Sequence, residues 1–350
     1  MPLLTIADLK KEVRQNTPLE AHVHVQIERI LKKDAANGKP FYEIVLRDST
    51  ERMTLRAWSD TAAFESASLR HPGDFVSVEG VFHHNGSFGL DARGWDLSLL
   101  SDEETDLLLQ GSPERRFLLE KSWQVISDAV DSLGDLRLQA LCRQFLEQHG
   151  ARFRRAAAAR GNHHARRGGL LEHTSRMMEC ALALCGVYQE LNRDLLIAGV
   201  LFHDTGKLWE TCPPERGFGI ETDLRGELLG HLSIGVELVN ALWRDLPKKD
   251  WQEMSPPSEE LRLHLLHLVA AHHGQFEFGS PVLPKTPEAA LLHFIDNIDA
   301  RLEMFFAAYK LAAVREGGDP PSMDWIRPLG VTPVIPLHGS KNSNATNSPE

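Results

Sequence analysis

The sequence predicts a multidomain α+β protein, with a small all-β module at residues 12–100 followed by an all-α module at residues 112–316. Three observations carry that prediction. Apolar residues alternate with a period of two over much of the first hundred residues. The period changes to 3.6 at Pro113 and holds to about Glu316. An acidic, polar stretch from Asp102 to Gly111 lies between the two regimes and reads as a linker. At 350 residues the chain has room for two domains, and 42% hydrophobic with 25% charged residues is an ordinary globular composition.

The first module is read strand by strand. Leu19 to Ile27 alternates apolar and polar residues, Lys39 to Leu46 follows an Asn-Gly turn signal, and Thr54 to Trp58 alternates more loosely. A polar, alanine-containing stretch from Asp60 to Ser68 suits a helix. Pro72-Gly73-Asp74 then opens a strand over Phe75 to Phe82, and Asn85-Gly86 turns it onto Ser87 to Leu90. Five strands with a helix between the third and fourth is the layout of an OB-fold, a small β-barrel that commonly binds single-stranded nucleic acid. In such a barrel Phe41, Arg47, Arg56 and Trp58 would form the binding face, together with Tyr42 and Arg52, by ring stacking and charge. Residues such as Phe41 and Trp58 are more often core than base-stacking platform. Between Glu12 and Leu100 there are ten Lys/Arg against thirteen Asp/Glu, so bulk charge does not draw nucleic acid to this module.

The helical module carries the chemistry. His203-Asp204 ends an apolar run and is followed by Thr205-Gly206-Lys207. Imidazole nitrogen and carboxylate oxygen so close together suit a divalent metal better than a core. Other helices bring further candidates onto their apolar stripes: His173 in register with Leu170 and Met177, His231 with Leu228, Gly235 and Leu238, and His272 with Leu261, Leu265 and Leu268. The helix that starts at Thr286-Pro287-Glu288 leads through Ala289 and Leu292 to Asp296 and Asp299. His273 falls about 100° off its stripe. Burying His173, His203, Asp204, His231, His272 and Asp296 in one core would be costly unless a metal ion, or a pair, offset it.

This order of ligands resembles the HD superfamily of metal-dependent phosphohydrolases, and with an OB-fold in front it resembles the YhaM-type 3′-5′ exoribonucleases of bacteria. The residues that carry the resemblance are Asn162-His163-His164-Ala165, Gly168 to Thr174, His203 to Lys207, Gly230-His231, His272-His273-Gly274 and Asp296 to Ala300. Thr205 stands where the family more often has an aliphatic residue, which leaves the ligands untouched. The resemblance implies His173, His203, Asp204 and Asp296 as one metal's ligands and His231 and His272 as ligands of a second. Asp204 would bridge the two, with Mn²⁺, Fe²⁺ or Mg²⁺ as the ion. Lys207 would neutralise charge on the phosphoryl group. For His163, His164 and His273 three roles stay open: contacting phosphate, protonating the leaving oxygen, or shaping the site. Asp299 would orient a ligand histidine or pair with Arg154 or Arg301.

The implied activity is 3′-5′ exonucleolysis of single-stranded RNA, with single-stranded DNA left open. Against the net charge of −11, the stretch Gly150 to Gly169 holds six arginines and no acid. Arg154, Arg155 and Arg166 of that run are candidate phosphate contacts on the way into His173. Hydrolysis of a small nucleotide is the first alternative, and a non-catalytic nucleic-acid-binding protein the second. No apolar run is long enough to span a bilayer, and the first residues lack a signal-peptide pattern. Four cysteines without CxxC spacing suit a reducing cytoplasm. Homo-oligomerisation is left open, and residues 328–350 are expected to be a disordered tail.

Overall fold

The computed structural model describes residues 1–13, 17–85, 89–161, 164–220, 223–246, 251–313 and 323–334. Five strands, β1 (Leu19–Asp34), β2 (Pro40–Arg47), β3 (Arg52–Trp58), β4 (Phe75–Asn85) and β5 (Gly89–Leu99), form an antiparallel sheet in the order β3-β2-β1-β4-β5. The first strand is long because it serves two neighbours: Leu19 to Gln26 pairs with β4, and Gln26 to Asp34 pairs with β2. The sequence alternation is the alternation of burial. Ala21, Val23, Val25 and Ile27 share one core with Ile44, Leu46, Leu55, Val76 and Val78. Strands β3 and β5 approach each other. No ladder joins them among the described residues, so what stands is a five-stranded antiparallel sheet.

Two helices in this region differ from the sequence expectation. α1 (Ile6–Val13) was not expected, yet it buries Ile6, Leu9 and Val13 in the sheet's core. Eight residues are too few for a helical period to stand out. α2 (Ala62–Ser68) lies where a helix was expected. The stretch read as a linker is α3 (Asp102–Gln110), with Ser101 and Glu104 forming a reciprocal capping box at its start. Thr105 is its one buried residue, so caps rather than an apolar stripe hold it, and a stripe-based reading passes over it.

The helical region continues with α4 (Pro113–Asp131), α5 (Leu136–Phe153), α6 (Gly169–Val187), α7 (Arg193–Phe202), α8 (Lys207–Glu210), α9 (Leu224–Asp245), α10 (Ser258–Ala271) and α11 (Pro287–Ala313), with a 3₁₀ turn at Phe276–Phe278. Side-chain oxygens of Ser112, Asp135, Asn192 and Asp223 accept the first free amides of α4, α5, α7 and α9. Each such cap is worth about 1 kcal/mol. A second hydrophobic core runs from Ile126 of α4 to Ile295 of α11. The sheet and this helical region are joined through buried Gln26, whose Oε1 accepts from Phe218 N at 2.9 Å and whose Nε2 donates to Gly73 O. Met1–Asp299 is one compact unit and Ala300–Glu350 a second. In the second, Ile326 bridges Val331, so residues 328–334 of the expected tail include a paired position. Residues 335–350 lie outside the described residues.

One close approach fixes the geometry behind His203-Asp204. A Cβ at Gly206 would stand 1.9 Å from the carbonyl oxygen of His231, which is backbone and cannot swing aside. Gly206→Ala is therefore expected to cost about 3 kcal/mol, read as a lower urea midpoint with an unchanged slope. An unaltered midpoint would show that the two segments are not in this contact.

Candidate metal centre

The centre is built where helices end. α7 buries Leu201 and Phe202 and stops, so His203 is its C-cap and Asp204 the first residue beyond. α10 stops in the same way, with His272 as its C-cap and His273 following. His173 projects from the buried first turns of α6, and Asp296 and Asp299 lie one turn apart on α11. α9 is broken at Gly230, with φ 68° and ψ 158°, a conformation that side-chain-bearing residues rarely adopt. The break frees the amide of His231, which donates to Glu210 Oε2 at 2.8 Å. It also explains why Leu228, expected in register with His231, is exposed while Gly235 and Leu238 are buried.

Each imidazole is anchored by Nδ1. His203 and His272 give Nδ1–H to the carbonyls of Val200 and Val269, each at 2.8 Å. His231 gives it to Glu210 Oε2 at 2.8 Å, His273 to Phe278 O at 2.7 Å, and His173 to Asp299 Oδ2 at 2.7 Å. A carbonyl oxygen only accepts, so in His203, His272 and His273 Nδ1 carries the proton of the neutral ring and Nε2 is left with its lone pair. The Nε2 atoms point at Asp204, and they divide between its two oxygens. His203 Nε2 and His173 Nε2 lie 3.3 and 4.0 Å from Oδ2, while His231 Nε2 and His272 Nε2 each lie 3.6 Å from Oδ1.

This donor set fits a divalent ion. His203 Nε2, Asp204 Oδ1 and His272 Nε2 are buried and lack a hydrogen-bond partner among the described residues. Such groups cost about 1–3 kcal/mol each unless something satisfies them. His173, His203 and Asp204 bring ligand atoms within 4.8 Å of one another, and so do His231, His272 and His273. His231 Nε2 and His273 Nε2 stand 3.1 Å apart. With His273 Nδ1 donating to Phe278 O, the His273 Nε2 lone pair faces His231 across that gap, where it can accept a proton or a cation.

Charge is arranged to match. Burial opposes the Asp204 carboxylate, but Lys207 and His203 win and hold its pKa well below the ordinary value; Lys207 Nζ donates to Oδ2 at 2.6 Å. Burial likewise opposes ionised Asp296 and Asp299, and their histidine hydrogen bonds hold both low. For His173 burial works downward, but Asp296, with Oδ1 3.3 Å from Nε2, and Asp299 raise it to about 9. Burial, with His272 and His231 beside it, lowers His273 to about 4.

The structure thus brings together all six expected ligands, His173, His203, Asp204, His231, His272 and Asp296, and adds His273. That residue was off the stripe of α10, but the helix has ended before it, so helical phase does not apply. Asp299 Oδ2 holds His173 Nδ1 and His164 Nε2, at 2.7 and 2.9 Å, and His164 is itself buried. Arg154 is paired with Glu120 and lies over Trp123, not with Asp299. Arg155 reaches the carbonyls of Pro213 and Ala151. Arg166 binds Glu172 at 2.9 Å and approaches His164 Nδ1 at 3.4 Å. His163 lies outside the described residues. On the sheet, the rings of Phe41 and Trp58 are 4.7 Å apart and Phe41 is buried, while Arg47 and Arg56 are within 4 Å of Glu28 and Glu43. Sequence reasoning missed Glu210 and Glu172. Glu172 is buried beneath Arg115, Arg166 and Arg176; burial opposes its charge, but the His164 hydrogen bond, with Arg166 and Arg115, holds its pKa below the ordinary value. Four residues separate Glu172 from Arg176, and that helical spacing was the available signal.

Comparison with known proteins points the same way. The HD domain model matches residues 170–301. The chain is 33% identical over 288 residues to the 3′-5′ exoribonuclease YhaM of Geobacillus sp. (strain WCH70), covering 81% of this chain and 83% of that one. It is 33% identical over 285 residues to the protein of the same name from Bacillus subtilis (strain 168), covering 80% and 85%. A solved domain of replication protein A from Methanococcus maripaludis matches 28% of this chain and 96% of its own length at 17% identity, with a TM-score of 0.21, too low to argue from.

Ligation by His173 requires that Nε2 give up its proton, whereas His273 is already neutral above pH 5. Mn²⁺ affinity, measured by calorimetry, is therefore expected to rise about tenfold per unit between pH 7 and 9 and to level off above. In His173→Gln the rise should vanish. An affinity independent of pH in the native chain would contradict the protonated His173.

Proposed function

The chain belongs to the family of HD-domain proteins that includes the YhaM 3′-5′ exoribonucleases, and from that premise we propose that it hydrolyses single-stranded RNA from the 3′ end. The plainer statement, that it has the active site of a metal-dependent hydrolase, rests on the HD match and the clustered His and Asp side chains. The observation that carries the fuller reading is the 33% identity over 288 residues to a YhaM 3′-5′ exoribonuclease, and the division of the histidines between the two oxygens of Asp204 supports a two-ion centre for it. A carboxylate so placed suits two ions, with His173, His203 and Asp296 on one side and His231, His272 and His273 on the other. Divalent ions there, Mn²⁺, Fe²⁺ or Mg²⁺, would supply an activated water and Lewis-acid stabilisation of the phosphoryl oxygens.

The chain's own residues then have separable tasks. Asp299, Glu210 and the carbonyls of Val200 and Val269 keep each Nε2 aimed inward. Lys207 is mostly buried and hydrogen-bonded to Asp204 Oδ2, and its ammonium would neutralise charge that builds up on the transferring group. The sheet, proposed here to close as an OB-type barrel, would hold the strand while its end is cut. Among the described residues no helix is long and apolar enough to cross a membrane. The four cysteines are free, which suits the reducing cytoplasm proposed as its location.

The test is degradation of a 20-nucleotide RNA labelled at one end or the other, with Mn²⁺ or Mg²⁺. The expected result is early release of a 3′ label, a shrinking ladder from a 5′ label, and loss to background in Asp204→Ala. Turnover of a small phosphodiester or nucleotide with an intact RNA would contradict the proposal.

A further inference from the structure

Outside the metal centre, a strongly charged concavity lies where the sheet meets the helical region. It is a cleft of about 450 Å³ lined by Lys10, Arg47, Arg52, Arg166 and Arg167, with the acids Asp48 and Glu51. A second hollow of about 430 Å³ shares Lys10 and Arg52 with it and continues past Val45, Thr54 and Leu90. The two hollows have these two cations in common.

The cations there outweigh the acids on a chain whose net charge is −11. Asp48 is buried, its oxygens accept from the amides of Ile6, Thr50 and Glu51, and its charge offsets part of that of Arg47 beside it. Glu51 pairs with Lys10. Arg47 and Arg52 share Glu28, at 3.8 and 2.6 Å, and Arg47 Nε is buried without a hydrogen-bond partner among the described residues. The Arg167 guanidinium is held by the carbonyls of Pro214, Glu215 and Gly217, which orient it without cancelling its charge. Arg166 shares Glu172 with two further arginines. The result is a positive strip in an acidic molecule, which suits a polyanion more than a single charge.

We propose that the two hollows form one trough that binds the sugar–phosphate backbone of a single-stranded nucleic acid, upstream of the end that enters the metal centre. The proposal rests on the nuclease reading above and replaces the Phe41–Trp58 face as the strand's path, since Phe41 is buried and the two rings pack against each other at a tilt. Its inner end adjoins the catalytic region. Arg166 touches His164 Nδ1 at 3.4 Å, His164 Nε2 holds Asp299 Oδ2 at 2.9 Å, and Asp299 holds His173.

The test uses the full chain with Lys10→Gln and Arg52→Gln together, both on partly exposed side chains. Binding of a fluorescent 20-nucleotide RNA and of a dinucleotide is followed by anisotropy without divalent metal, from 50 to 300 mM salt. For the 20-mer, affinity should fall about tenfold and the slope of log affinity against log salt should flatten by about 1.4, two phosphate contacts' worth. The dinucleotide, too short to span the trough, should bind as before. An unchanged 20-mer affinity and slope would overturn the trough, and so would an equal loss for both ligands. The two readings fail separately. A variant that binds RNA like the native chain while the native chain degrades it sinks the trough alone. A native chain that binds RNA through the trough without degrading it sinks the nuclease reading alone.

Discussion

The Asp204 carboxylate is the constraint on which the helical region depends. It is buried, it must stay ionised, and its two oxygens serve different histidines. An ionised carboxylate at that depth is tolerated only with cations around it. Lys207 supplies one from the next turn, and a divalent ion suits the rest of the donor set. Side chains from α6, α9, α10 and α11 and the α7–α8 turn all have to converge on it. The close approach of Gly206 to the carbonyl of His231 is one consequence of that convergence.

The same local device appears twice around this carboxylate. His203 and His272 are both the C-caps of their helices, and each donates Nδ1–H to the carbonyl three residues earlier. Carbonyls in the last turn of a helix lack an intrahelical partner. One hydrogen bond therefore satisfies the helix end, fixes the tautomer and aims Nε2 at Asp204. His231 reaches the same result differently. Its amide and its Nδ1 both donate to Glu210 Oε2, and the left-handed turn at Gly230 makes that possible.

Helical phase made much of this legible in advance. Counting along apolar stripes placed His173, His203, His272 and Asp296 inward, because those stripes run unbroken to the ligand. It placed Leu228 beside His231 wrongly, because the break at Gly230 resets the phase between them. It set His273 aside because it extended the phase of α10 beyond Ala271, where the helix stops. The sheet was legible from alternation, though β5 runs on to Leu99, well past the expected Leu90. Contacts distant in sequence were not legible: Glu210 with His231, Gln26 with Phe218, and the cationic trough all arise from segments that only folding brings together.

The central claim is that one carboxylate divides two groups of ligands and so makes a two-ion centre. Electron paramagnetic resonance of the chain titrated with Mn²⁺ tests it most directly. Two ions per chain with an exchange-coupled spectrum at saturation is the predicted result. A single bound ion with an isolated six-line signal at saturation would contradict the account.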